Sequence, residues 1–154
     1  INDRFSDIVG RFQLVPHESI KIDSFFSFDK EEYSLKTAYT NVLFRQKNSY
    51  LSLSNIHSPP VVNVSGTNEI EGKNQFSIIY EQDVAKYWKI TGSSIFDKKS
   101  KIKLHNFGAK IKYEDECLGF SFNWNRQYTH NPEDPTSNNF TFLFSLKEIM
   151  ESNL

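Results

Sequence analysis

Leu118-Gly119-Phe120-Ser121-Phe122-Asn123-Trp124-Asn125 and, after a polar loop, Phe140-Thr141-Phe142-Leu143-Phe144-Ser145-Leu146-Lys147 decide the fold. Successive side chains of a strand point to opposite faces. One face of each stretch is therefore bulky and apolar: Leu118, Phe120, Phe122 and Trp124 in the first, Phe140, Phe142, Phe144 and Leu146 in the second. The opposite face carries mostly small or polar groups. The same alternation recurs along most of the chain, with no helical periodicity between. What the apolar faces touch, a protein core or lipid, becomes the central question.

Working outward, turn chemistry and alternation predict about nine strands. They lie near 7–14, 19–28, 33–44, 50–56, 71–80, 87–96, 101–113, 118–125 and 139–147, with a short tail at 148–154. Short turns are expected at 15–18, 29–32, 45–48, 81–86, 97–100 and 114–116, and longer loops at 57–68 and 129–138. Two strands break phase. Val42 and Phe44 oppose Leu35 and Tyr39, and Ile102 and Leu104 give way to Phe107, Ala109 and Ile111, which predicts a bulge at His105-Asn106. Short turns between long strands predict an all-β, antiparallel up-and-down meander. The repeat of about ten to thirteen residues suits the ~9–11 residues of a tilted membrane strand better than the ~5–6 of soluble sheets. A closed bacterial barrel has an even strand number. Nine segments therefore imply either one that is not a strand or a place within a larger barrel.

Composition excludes several classes. The 154 residues suit one domain. The net charge of -1 offers no basic face for nucleic acid. Aromatics reach 15%, with 14 Phe and 7 Tyr, a supply that suits aromatic girdles as well as a core. A mean hydropathy of -0.55 does not exclude a membrane barrel, whose lumen-facing residues dilute the signal. No apolar run is long enough for a membrane helix. Ile1-Asn2-Asp3-Arg4 shows no initiator Met and no apolar leader, so a mature protein or a piece of a longer one is expected.

Chemistry-bearing residues are sparse. His57, His105 and His130 fall in two loops and a suspected bulge, without catalytic or metal spacing. Glu114-Asp115-Glu116 and Glu133-Asp134 read as solvated turns, with a surface cation as the sharper alternative. Lys98, Lys99, Lys101 and Lys103 read as a hairpin tip, with anionic head groups as the alternative. Trp88, Trp124, Tyr113 and Tyr128 lie near strand ends, where interfacial girdles occur. No nucleotide, nucleophile-elbow or cofactor fingerprint is present, so neither an enzyme nor a cofactor is expected. Cys117, the lone cysteine, reads as a small apolar residue.

The stretch Tyr113-Glu114-Asp115-Glu116-Cys117-Leu118-Gly119-Phe120-Ser121-Phe122, then Arg126-Gln127-Tyr128-Thr129 and the final Phe140–Lys147 strand, carries a resemblance. It resembles the C-terminal barrel of the LptD (OstA) family of lipopolysaccharide-assembly outer-membrane proteins, in their alphaproteobacterial form. That form has a YEDEC turn, an aromatic strand, an RDFT-like stretch, a charged loop and a final FxFxxSLK strand. Ser6–Arg11 and Phe28–Glu31 also resemble it. Arg126-Gln127-Tyr128 departs from the usual Arg-Asp-Phe, and the loop carries Pro132 and Pro135.

The resemblance implies that residues 1–154 form one barrel segment in the outer membrane of a Gram-negative bacterium. The partners it implies are lipopolysaccharide, a plug lipoprotein, periplasmic bridge proteins and outer-membrane lipid. It implies no covalent chemistry. Phe140, Thr141, Phe142, Leu143, Phe144, Ser145 and Leu146 would form the last strand, at a lateral gate. Cys117 would be placed to form a disulfide with a module outside these residues, in the oxidising periplasm. The residues alone also admit a self-contained, lipocalin-like barrel with its bulky faces turned inward around an apolar ligand.

Overall fold

A computed structural model describes residues 7–29, 34–59, 61–62, 69–70, 72–98, 103–128 and 136–147. The chain folds into strands β1 (Ile8–His17), β2 (Ile20–Phe28), β3 (Leu35–Gln46), β4 (Ser49–Ser58), β5 (Val61–Val62), β6 (Glu69–Ile70), β7 (Lys73–Ala85), β8 (Trp88–Asp97), β9 (Lys103–Glu114), β10 (Leu118–Gln127) and β11 (Ser137–Leu146). All nine expected strands are present, each 9 to 13 residues long. They form one antiparallel sheet in the order β1-β2-β3-β4-β7-β8-β9-β10-β11. The two-residue strands β5 and β6 pair with each other inside the longest connection. Among the described residues β1 and β11 are free edges, and the sheet does not close.

The two phase breaks have a common cause. Ser27 faces Thr37 while Phe28 faces Leu35, which leaves Lys36 as an extra residue in β3. This bulge returns Leu35 to the face of Val42 and Phe44, leaving only Tyr39 opposite. In β9, Asn106 faces Ile95 and Leu104 faces Phe96, so His105 is the extra residue, where the sequence places it.

Two turn assignments are corrected. Val15-Pro16 lies within β1, and the turn is Glu18-Ser19. The register shifts between Leu14 and His17, so the proline occupies a bulge on an edge strand, where its missing N–H removes no ladder bond. Likewise Glu81–Ala85 continues β7 across a shift at Val84, and the turn is Lys86-Tyr87. The loop expected at 57–68 begins later, because β4 runs to Ser58. Of the expected turns at 29–32 and 97–100, the loop at 129–138 and the tail at 148–154, residues 30–32, 99–100, 129–135 and 148–154 lie outside the described residues.

Registry carries the alternation across every ladder. Leu118, Phe120, Phe122 and Trp124 stand opposite Leu146, Phe144, Phe142 and Phe140 on one side. On the other, Phe120, Phe122 and Trp124 stand opposite Tyr113, Ile111 and Ala109. The face continues through Trp88 and Ile90, Ile78 and Tyr80, Leu51 and Leu53, Val42 and Phe44, Ile20 and Ile22, and Leu14 and Phe12. Among the described residues it is packed against no second layer. Among the described residues no hydrophobic side chain is buried, and the buried polar residues are Ser52 and Ser121, at 4% and 7% exposure on the opposite face.

Candidate functional site: a segregated sheet with a free edge

The charges sort by face. On β1–β3 Arg11, Lys21, Asp23 and Arg45 occupy the face opposite the apolar one. On β7 and β8 so do Lys73, Glu81, Asp83, Lys89 and Asp97. On β9 Lys103, Lys110, Lys112 and Glu114 follow. This polar face thus holds eight basic and five acidic residues, and it pairs many of them. Arg11 binds Asp23 at 2.6 Å, and Lys89 meets Glu81 at 2.7 Å and Asp83 at 3.7 Å. Glu114 joins Lys112 to Lys147. Neutral groups pair there too: Ser52 with Asn41 at 2.9 Å, Ser54 with Ser77 at 3.0 Å, and Asn106 with Asn125 at 2.9 Å. Arg45, Tyr50, Glu81, Asp83 and Lys89 line an open groove at one end.

The apolar face satisfies several of its few polar groups internally. Ser24 and Thr40 hydroxyls meet at 2.8 Å, and Tyr80 Oη donates to Gln82 Oε1 at 2.7 Å. Such pairing is what a low-dielectric contact demands. Its rings contact one another. Phe122 lies 4.8 Å from Phe142 and 6.2 Å from Phe140, centroid to centroid. At one end Tyr113 lies 5.0 Å from Trp88 and 6.0 Å from Tyr87. At the other, Trp124 lies 5.6 Å from Phe107.

The rims differ. Tight turns at Glu18-Ser19, Lys47-Asn48, Lys86-Tyr87 and Asp115–Cys117 share one rim. The strand ends that lead into the four longer connections, at 29–34, 59–72, 98–102 and 128–136, share the other. The YEDEC stretch has a local explanation. Asp115 Oδ1 accepts N–H bonds from Cys117 at 2.9 Å and Leu118 at 2.7 Å, and Oδ2 accepts the Tyr113 hydroxyl at 2.6 Å. These donors, the Tyr113 hydroxyl foremost, hold the Asp115 carboxyl below its ordinary pKa. The turn also grips the last strand: Lys147 donates its N–H to the Cys117 carbonyl at 2.9 Å and its ammonium to the Asp115 carbonyl at 3.0 Å.

The structure thus brings together the eight apolar residues singled out in β10 and β11 on one face. Strand residues Phe140–Leu146 form the free edge, hydrogen-bonded through β10 alone among the described residues. Cys117 is exposed at the tight-turn rim and is unpaired among the described residues. His57 lies in β4 on the apolar face, opposite Ala38. Lys98 turns back onto that face, with Nζ 3.0 Å from Asn55 Oδ1 and 5.3 Å from the Phe76 ring. Lys103 stands opposite Asp97. His130, Glu133, Asp134, Lys99 and Lys101 lie outside the described residues. Among the described residues no cluster of His, Cys, Asp or Glu is placed to hold a metal. The sequence assigns no role to Arg126, which among the described strand residues departs from the sorting of charge by face. No protein-family model matches the chain, and no curated protein sequence matches it.

Proposed function

We propose that this chain is part of an outer-membrane β-barrel that moves lipopolysaccharide into the outer leaflet. The observation that carries the membrane reading is the segregation of charge. Nine strands of membrane-spanning length keep an apolar face of large side chains and gather their strand charges on the other. A soluble sheet would bury such a face in a core. In a bilayer the same face meets acyl chains, and the polar face lines a lumen. Four tight turns on one rim and four longer connections on the other match the short periplasmic turns and longer outer loops of such barrels.

The specific cargo rests on the resemblance of residues 113–147 to the LptD family. The hydrogen-bonded turn around Asp115 gives that motif a physical purpose. In this reading lipopolysaccharide passes along the polar, mildly basic face and leaves beside Phe140–Leu146. A plug lipoprotein fills the lumen, and bridge proteins deliver from the periplasm. The barrel guides the lipid without bond chemistry. The competing reading, a lipocalin-like binder, turns the aromatic face inward.

Single cysteines distinguish them. In the full-length protein, in its native membrane and lacking Cys117, cysteines are placed at Asn123, Thr141, Phe142 and Phe144 and treated with a membrane-impermeant thiol reagent. Labelling at 123 and 141 with protection at 142 and 144 supports the barrel; the reverse pattern supports the binder. Depletion of the protein should also leave newly made lipopolysaccharide inaccessible at the cell surface. Normal surface arrival would remove the cargo assignment and leave the barrel standing.

A further inference from the structure

Among the described residues, Arg126 is the one charged strand residue on the apolar face, the bulge residue Lys36 apart. It stands opposite Phe107 on β9 and Asn138 on β11, in phase with Phe120, Phe122 and Trp124. Lys36, by contrast, is neutralised by Asp7 and Asp29, each at 2.9 Å. Among the described residues no carboxylate pairs with Arg126, and its buried Nε has no hydrogen-bond partner. A cation held at an apolar surface without a counter-charge is costly.

The surroundings present the group instead of hiding it. The guanidinium lies 5.0 Å from the Tyr128 ring, an arrangement that supports the cation through the ring face and leaves edge N–H groups to donate. Asn138 Oδ1 accepts the Trp124 indole N–H at 3.4 Å, which turns the asparagine amide nitrogen toward other acceptors. The site lies at the long-connection rim, where the apolar face ends. Lys98 sits at the same rim of the same face, over Phe76.

We propose that Arg126, with Tyr128, Trp124 and Asn138, binds the phosphate of an anionic lipid headgroup at the long-connection rim. A guanidinium fork matches two phosphate oxygens, and the flanking Phe107 and Trp124 rings suit the first acyl carbons. The inference rests on the reading that the apolar face lies in the bilayer.

The test uses the full-length protein in nanodiscs of equimolar phosphatidylcholine and phosphatidic acid. A photocrosslinking residue replaces Ser94, which stands opposite Phe107 at the depth of Arg126, or in a second variant Phe142, and captured lipids are identified by mass. At position 94, phosphatidic acid should be captured about tenfold over phosphatidylcholine, the scale of one charge-assisted contact. R126Q should abolish the preference, and R126K should restore part of it. At position 142 both lipids should be captured equally. Lipid capture at 142 with no preference at 94 would overturn the headgroup site alone. No lipid at 142 would overturn the membrane reading beneath it. Arg126-dependent retention of inorganic phosphate by the protein, with no lipid preference at position 94, would assign the site to free phosphate and refute the lipid.

Discussion

Phe142→Lys separates lipid from water by the size of its effect. Strand β11 has ten residues, about 33 Å at a rise of ~3.3 Å each. Tilted by ~45°, it spans roughly 23 Å of height, close to the ~25 Å apolar band of a membrane barrel. Phe142 is the sixth of the ten, so it lies within about 1 Å of the strand's midpoint on that scale. It is 68% exposed, so most of its surface touches no protein and its replacement reports mainly on the surrounding medium. A lysine at the bilayer midplane costs ~2–4 kcal/mol, equivalent to about thirty- to a thousandfold in the folding equilibrium. In water, exchanging an exposed phenylalanine for lysine would be near neutral, within ~0.5 kcal/mol. The assay is reversible denaturant unfolding of the full-length protein in liposomes, with Thr141→Lys on the polar face as control. Leu146→Lys, at the strand's end, should cost only ~0–1 kcal/mol. Phe142→Lys no less stable than Thr141→Lys would refute the lipid assignment.

Asp115 predicts a pH dependence. Its pKa is depressed in the folded state, so its contribution is complete above the unfolded value of ~3.9 and disappears as pH falls through the folded value. Denaturant midpoints measured from pH 6 to pH 3 should fall at the acid end in wild type and stay flatter in Asp115→Asn. Gly119 is enforced by contact: a Cβ there would run into Ser145 Oγ across the β10–β11 ladder. Gly119→Ala should cost ~1–3 kcal/mol by overpacking, and Ser145→Gly should restore most of it in the double variant's unfolding curve. Cys117 is exposed at the tight-turn rim. In cells it should react with an impermeant thiol reagent only after the outer membrane is permeabilised, whereas Thr136→Cys at the other rim should react in intact cells; the opposite order would invert the rim assignment.

The nine strands were legible because each repeats the same two-residue alternation between polar turns. Boundaries slipped where a bulge hides a turn signal: Pro16 reads as a breaker, yet in edge strand β1 it removes no ladder bond. The phase break in β9 announced its bulge because large residues flank His105; the one in β3 resolved only when Phe28 was found opposite Leu35. The sorting of charge by face was invisible in the chain, where Lys89 and Ile90 or Lys110 and Ile111 are simply neighbours. Face membership accumulates ladder by ladder through the register. Arg126 entered only through the resemblance, with no role of its own, for the same reason. In sequence it is one polar residue in Asn125-Arg126-Gln127, and only its phase with Trp124 makes it exceptional.

The edges determine what a bilayer would tolerate. In a meander of nine strands, the first and last run in the same direction, so a seam between β1 and β11 would be parallel, with slanted and slightly weaker bonds. An antiparallel seam at either edge instead needs a further strand. Either way the edge cannot stay bare in lipid. Half of the ten residues of β11 direct their N–H and C=O groups away from β10, roughly ten groups in all. At several kcal/mol for each group left without a partner in hydrocarbon, the exposed edge would cost tens of kcal/mol, more than the ~5–15 kcal/mol that holds a typical domain together. In the proposed barrel a seam at β11 would therefore be obligatory. Opening there would break a single ladder, while the grip of Lys147 on Asp115 and Cys117 holds the strand's end at the turn. Lys147→Ala would remove the ammonium's part of that grip and leave the β10–β11 ladder bonds intact. If the grip limits opening, amide exchange should quicken at the Leu146 end of β11 before the Ser137 end. Uniform exchange along β11 would show that the turn contributes nothing to holding the edge.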